Sequence, residues 1–451
     1  MSEGGHIMFN AKKAVAVLTA GAFALGGLAA CGSDDEAEGG EGSVYFLNWK
    51  PESEETYKKI AAAYTEETGI EVKVVTAASG TYEQTLKSEI TKSEAPTLYQ
   101  INGPMGLVNW QEYALELDDT DFAQDLNDPG LALQGEDGKI YGVPLAVEGF
   151  GIIYNEAIFE DYFAMDSAVV TSMDEINNFD TLKEVTDDMQ ARKDELGIDG
   201  VFASTSLATG EEWRFQTHLA NIPVFYEYDE EGVTDKQEIA FSYNENYKNV
   251  FDLYLTNSTV EPSLTPSKTV TDSMQEFATG KAAMVQNGNW AWSQISDIEG
   301  NVVAEDDIKF LPIYTGVEGE ESKSINIGTE AFMAINSEAS EADQQATIDF
   351  VNWLFSSEEG MDYVTNDLGF IAPFESFGDS TPSDPLAKEV NRYMTDPDLE
   401  PIPWVFTTFP SQKFKEDFAG GLAQYASGNM EWSDVVDIFV SSWASEKANL
   451  G

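Results

Sequence analysis

The chain of 451 residues carries 81 Asp and Glu against 24 Lys and Arg, a formal net charge of −57, with an apolar share of 42%. An acidic field of that size repels phosphates and anionic headgroups, so it excludes nucleic acid and charge-driven membrane binding and favours a neutral ligand. One cysteine, two histidines and no EF-hand loop leave nothing to hold a zinc, iron or EF-hand calcium centre, and no metal or cofactor is expected.

The N-terminus reads as an address. Lys12 and Lys13 precede an apolar run from Ala14 to Leu28, which ends in Leu28-Ala29-Ala30-Cys31. A basic n-region, a short apolar h-region and small residues before the cut are the parts of an export signal. The run is broken by Thr19, Gly21, Gly26 and Gly27, short of the roughly 20 apolar residues of a membrane span. A lone cysteine in an exported protein has no internal disulfide partner, so Cys31 reads as a lipidation site. An ordinary secretory peptide cut near Ala30 is the competing reading. Met8 suits the initiator better than Met1, because Glu3 stands ahead of the basic pair. We therefore expect residues 1–30 as a lipoprotein signal peptide and 31–43 as a disordered acidic linker. The protein would be extracytoplasmic, its membrane contact made by the lipid anchor only.

The roughly 400 residues that follow exceed one core and suggest two domains. Val44–Leu47 predicts a buried strand and Ser53–Glu67 a helix, with Gly69 as its C-cap. Strand 70–75, helix 82–92 and strand 97–101 continue the alternation of a parallel α/β sheet. Gly138–Pro144 leads into an extended segment, and Gly151–Tyr154 is another strand. Further strands fall at 201–204, 282–286, 308–311 and 331–335. Helices are predicted at 247–255 and 270–279, from Ser340 to about Phe355, and in a helical tail at 386–394, 414–426 and 432–448.

One stretch carries functional weight: Phe277-Ala278-Thr279-Gly280-Lys281-Ala282-Ala283-Met284-Val285-Gln286-Asn287-Gly288-Asn289-Trp290-Ala291-Trp292-Ser293. A small-residue strand ends in a glycine turn and two tryptophans. Ligands of open α/β sheets bind beyond the carboxyl ends of strands, which puts Trp290 at a binding edge. Trp292, inside a helix start, reads as core.

This stretch resembles the extracellular sugar-binding proteins of ABC importers, family 1 of the extracellular solute-binding proteins, maltose-binding protein among them. So do Asn48-Trp49-Lys50, Gly142-Val143-Pro144, Ile153-Tyr154-Asn155-Glu156, Gly328-Thr329-Glu330-Ala331-Phe332 and Leu368-Gly369-Phe370-Ile371-Ala372-Pro373. They run in family order over nearly the whole mature chain. The resemblance implies an α/β, two-lobed periplasmic-binding-protein-like fold with hinge-linked lobes and a helical C-terminal tail. Lobe 1 is expected from 44–145 and 313–357 and lobe 2 from 146–312 and 358–451, with crossings near Val143–Val147, Pro312 and Phe355–Glu359. It also implies a monomer that binds an oligosaccharide and passes it to an ABC permease.

A pyranose offers an apolar face to an aromatic ring and hydroxyls to short polar groups. Trp290 is the first candidate for stacking. Trp49 and Trp213 read equally well as core or as wall. His218 follows Trp213 in a segment similar to binders of raffinose- or isomaltose-like sugars, although a single histidine is more often structural. Trp404 resembles a late family segment that supplies another ring. Polar partners are Asn48, Lys50, Asn102, Asn289 and Glu330, each beside a strand end. Near Asn102 the maltose binder has an acidic group that is absent here. The alternative function is a lipid-anchored glycoside hydrolase, whose carboxylate pair no sequence this acidic can single out. No G-x-S-x-G, Walker or H-E-x-x-H motif is present.

Overall fold

The computed structural model describes residues 42–78, 80–378 and 380–450. The signal peptide, the choice between Met1 and Met8, Cys31 and nearly all of the acidic linker lie outside these residues. Strands in chain order are β1 Val44–Asn48, β2 Val72–Thr76, β3 Leu98–Asn102, β4 Leu133–Gln134, β5 Ile140–Pro144, β6 Glu148–Asn155, β7 Gly200–Phe202, β8 Ala282–Gly288, β9 Ile308–Leu311, β10 Lys323–Gly328, β11 Ala331–Ile335 and β12 Glu400–Pro403. They form two sheets. The first runs β2-β1-β3-β11-β5-β4, and the second runs β12-β10-β6-β8-β7, with β9 also paired to β6.

In the first sheet β1 is parallel to β2 and β3, as the strand–helix–strand order requires. The helix Glu54–Thr68 buries Tyr57, Ile60, Ala61 and Tyr64 on one face and stops at Gly69, whose φ of 82° suits a residue without Cβ. β11 then enters antiparallel between β3 and β5. In the second sheet every residue of β6 is buried, and β6 pairs antiparallel with β8, β9 and β10. The helix Gln412–Ala426 packs with the last helix, Trp432–Leu450. Their Phe414, Phe418, Phe439 and Trp443 join the core of the second sheet.

Three connections cross between the sheets. The first is Leu145–Val147, where Leu145 N donates to Ala331 O and Val147 N to Ile371 O, both at 2.8 Å. The expectation assigns 313–330 to the first lobe. Instead β10 belongs to the second sheet, with Asn326–Gly328 in register with Phe150–Glu148 and with β12 on its other side. The crossing expected near Pro312 is therefore the short link Thr329–Glu330 between β10 and β11. The crossing expected near Phe355–Glu359 also moves. Val364, Phe370, Phe374 and Phe377 stay in the first core, and the Phe355 and Phe374 rings lie 4.3 Å apart. Ile371 already packs against the second sheet's cluster, and the chain joins it fully with the helix Pro385–Thr395, through Leu386, Val390 and Tyr393. Among the described residues no helix is long and apolar enough to cross a membrane.

Candidate functional site

The turn after β1 is built by Asn48. Its Nδ2 donates to Lys50 O at 2.8 Å and its Oδ1 accepts from Lys50 N at 3.1 Å. Asn48 is fully enclosed and its amide is engaged in shaping the turn. The turn aims Lys50 at the second sheet. Lys50 Nζ donates to Glu148 Oε1 at 2.8 Å and Oε2 at 3.0 Å, and Glu148 is the first residue of β6. Burial pulls the Lys50 ammonium down, but the Glu148 and Glu52 carboxylates more than offset it and its pKa is raised. The ammonium also lies 5.6 Å from the Trp290 ring centroid.

At the end of β8, Asn289 N donates to Gly149 O at 3.0 Å while Asn289 Oδ1 accepts from Gly149 N at 2.9 Å. This reciprocal pair locks the ends of β6 and β8 and leaves the half-buried Trp290 beyond them. A Cβ on Gly288 would overlap the Trp290 ring, and one on Gly328 would overlap Trp404. Glycine at both strand ends lets an indole come close against the backbone. The two rings meet edge to face with centroids 6.5 Å apart. Trp213 approaches Trp290 at 6.1 Å. His218 stacks on Phe150 at 4.4 Å and also neighbours Trp213, Trp290, Trp404 and Phe406.

Trp213 immediately precedes, and His218 lies within, a π-helical turn, Arg214–Leu219, an irregularity often found at functional sites. Arg214 fixes it. Its Nη1 donates to Gln286 O at 3.1 Å and its Nη2 to Ser273 Oγ at 2.9 Å and to Ser206 Oγ. In return Gln286 Nε2 donates to Arg214 O at 2.6 Å. Burial lowers the guanidinium to about 10. Burial likewise drives His218 down to about 3, with Lys415, Arg214 and Lys50 adding to the shift, so the imidazole is neutral. His218 Nδ1 and Trp404 Nε1 are buried without a hydrogen-bond partner. An orphaned polar group costs roughly 1–3 kcal/mol, which a ligand hydroxyl at each would recover.

Glu330 sits on the link between the sheets, its carbonyl accepting from Gly103 N at 3.2 Å. Burial pushes its carboxyl up to about 7, against the pull of Lys50 and Lys415 and with the push of Glu148. Thus Lys50, Glu330, Trp213, His218, Trp290 and Trp404 are brought together, with Asn289 as their brace. Trp49 and Asn102 belong to the first sheet, Trp49 directly before Lys50 and Asn102 beside the Glu330 link. Trp49 is half-buried edge-on to Tyr82 at 5.5 Å, with its N donating to Gln100 Oε1, and Asn102 pairs in register with Ala331. Glu148, Phe150, Phe406 and Lys415 escape the sequence reading. Glu148 had a signal, as the only charge in the otherwise apolar run Leu145–Tyr154. An enclosed charge needs a partner.

An aromatic wall on one sheet, faced by charged groups from the turn of the other and from the link between them, defines a hinged α/β solute-binding protein. The chain belongs to the bacterial extracellular solute-binding proteins, whose family model matches residues 59–393. No curated protein matches it by sequence. Among solved structures it is similar to RafE in complex with raffinose, at 19% identity and TM-score 0.69, covering 90% of this chain and 99% of that one. A chitin oligosaccharide binding protein gives 18% identity and TM-score 0.71 with the same coverage. A sugar transporter from Bacillus licheniformis in complex with stachyose gives 15% identity and TM-score 0.65, covering 90% of this chain and all of that one.

Proposed function

We propose that the chain is the substrate-binding component of an ABC importer, which captures an oligosaccharide between its two lobes and delivers it to a membrane permease without chemical change. The observation that carries this reading is the wall of Trp213, His218, Trp290 and Trp404, with the unpartnered His218 Nδ1 and Trp404 Nε1 within it and the Lys50–Glu148 pair opposite. Flat rings suit the apolar face of a sugar, and unpaired ring nitrogens suit its hydroxyls. The oligosaccharide-binding neighbours support the same class, and neither the family nor these neighbours favour the hydrolase.

Ligand favours closure of the lobes only by binding the closed form better than the open one. On this reading Cys31 carries the lipid after the signal peptide is removed, and the acidic linker tethers a monomeric receptor near its permease, where effective concentration replaces free search. A thermal-shift screen over α- and β-linked oligosaccharides tests it. At least one sugar raises the melting temperature in proportion to the logarithm of its concentration above Kd; a screen with no shift contradicts it.

A further inference from the structure

Contacts between the lobes follow the same order along both sheets. Gly80, beyond β2, faces Gly210, beyond β7, and a Cβ on Gly80 would lie 3.2 Å from Gly210 O. Lys50, beyond β1, holds Glu148 at the start of β6. Gly103, beyond β3, faces Thr407, beyond β12, and a Cβ on Gly103 would lie 2.8 Å from Thr407 Cβ. At this end the helix Gly103–Trp110 packs on the turn Val405–Thr408. Met105 Sδ of that helix lies 3.8 Å from Nζ of the buried Lys447 on the last helix, which carries the seam outward. Both outer contacts are made beyond the carboxyl ends of strands, so both border the cleft. The aromatic wall stands between them. Trp213 follows closely on Gly210, and Trp404 O accepts from Thr407 Oγ1 at 3.1 Å.

We propose that the Gly80–Gly210 and Gly103–Thr407 contacts seal the closed cleft at both ends, so that the protein selects its oligosaccharide by length, taking a short one whole and refusing longer chains. The proposal rests on the oligosaccharide-binding reading and adds its size class. β12 and β7 are the two ends of the second sheet, four strand spacings of about 4.8 Å apart, so the compartment is about 19 Å long, room for about three or four sugar rings end to end. A longer chain must leave through one of the seams. Neither admits an added methyl group without a shift, so neither admits a sugar ring. Such a chain binds only while the lobes stay apart, and it then loses the differential affinity for the closed form that favours closure.

The test is calorimetric titration of the mature chain with sugars graded by length: raffinose, stachyose and verbascose, the chito-oligosaccharides of two to six units, and the malto-oligosaccharides of two to seven. The proteins are wild type and Thr407→Gly, which removes the side chain that fills one seam, each first checked for an unchanged far-UV spectrum. In the series that wild type binds, affinity is highest at about three or four units and falls by about tenfold or more at the longest member. In Thr407→Gly that fall shrinks by about tenfold, because a chain can now leave past Gly103. Wild-type affinity that holds or rises to the longest member overturns the sealed compartment and leaves the solute-binding reading standing. A fall that Thr407→Gly does not relieve overturns the seal at Gly103. Failure of wild type to bind any member of the three series overturns the oligosaccharide-binding reading and the length limit together.

Discussion

Lys50 and Glu148 belong to different sheets and meet as a closed ion pair at 2.8 Å and 3.0 Å, with side chains only 7% and 2% exposed. One follows the first strand of the first sheet, and the other begins the central strand of the second. The pair is thus a contact between lobes, not only within one.

Breaking one side of this pair leaves a buried charge without its partner. Lys50→Met lowers the unfolding free energy by about 3–5 kcal/mol, and adding Glu148→Leu restores most of it. Guanidinium denaturation midpoints with unchanged m-values check this. Because the Lys50 pKa is raised in the fold, its contribution is full below pH 10.5 and fades only as pH rises through the higher folded value.

Gly288 and Gly328 hold the tryptophans in place by lacking a Cβ. Gly288→Ala or Gly328→Ala displaces Trp290 or Trp404 without removing the ring. Sugar affinity falls by about tenfold or more, equivalent to roughly 1.4 kcal/mol, and the tryptophan emission maximum shifts. A titration monitored by fluorescence reads both at once.

Trp290 was legible because a glycine turn at the end of a small-residue strand is a local pattern. Lys50 was legible from its place beside a strand end. The rest of the wall was not, for a physical reason. His218 becomes a wall residue only through a π-helical turn held by Arg214 and Gln286, which are 72 positions apart in the chain, and no 3.6- or 2-residue periodicity reports such a contact. Most strands, the helices near 54–68, 244–256, 270–278 and 341–356 and the helical tail followed from periodicity, whereas the helices Glu156–Phe163, Phe179–Ala191 and Ala220–Glu231 and the strands β10 and β12 were not predicted. The boundary of the first lobe did not, since Phe374 and Phe377 enter that core after the predicted exit. β10 alternates Ser324-Ile325-Asn326-Ile327, but alternation fixes the face of a strand and not the sheet it joins.

Two groups of the site titrate in opposite senses. His218 is held down to about 3 by burial, so its contribution to stability is full above pH 6.5 and is lost as pH falls toward 3. Glu330 is held up to about 7 by burial, so its contribution is full below pH 4.5 and is lost as pH rises through 7. Relative to wild type, His218→Phe gains stability at pH 5 compared with pH 7.5, and Glu330→Gln gains at pH 7.5 compared with pH 5. Denaturant midpoints across pH 4.5–8 measure both differences.

A formal charge of −57 repels itself in the compact state. Screening shortens from about 10 Å at 0.1 M salt to about 3 Å at 1 M. The melting temperature of the mature chain therefore rises between those concentrations of sodium chloride, as scanning calorimetry reads, and flat or falling values contradict the repulsion argument.

The central claim, that the aromatic wall holds an oligosaccharide, is tested most directly by calorimetric titration of wild type and Trp290→Ala with the sugar that gives the largest thermal shift. The account predicts saturable one-to-one binding by wild type without release of smaller sugars, and loss of about 2 kcal/mol or more in the variant with its fold intact. Equal affinity in the two proteins, or the appearance of cleaved sugar, would contradict it.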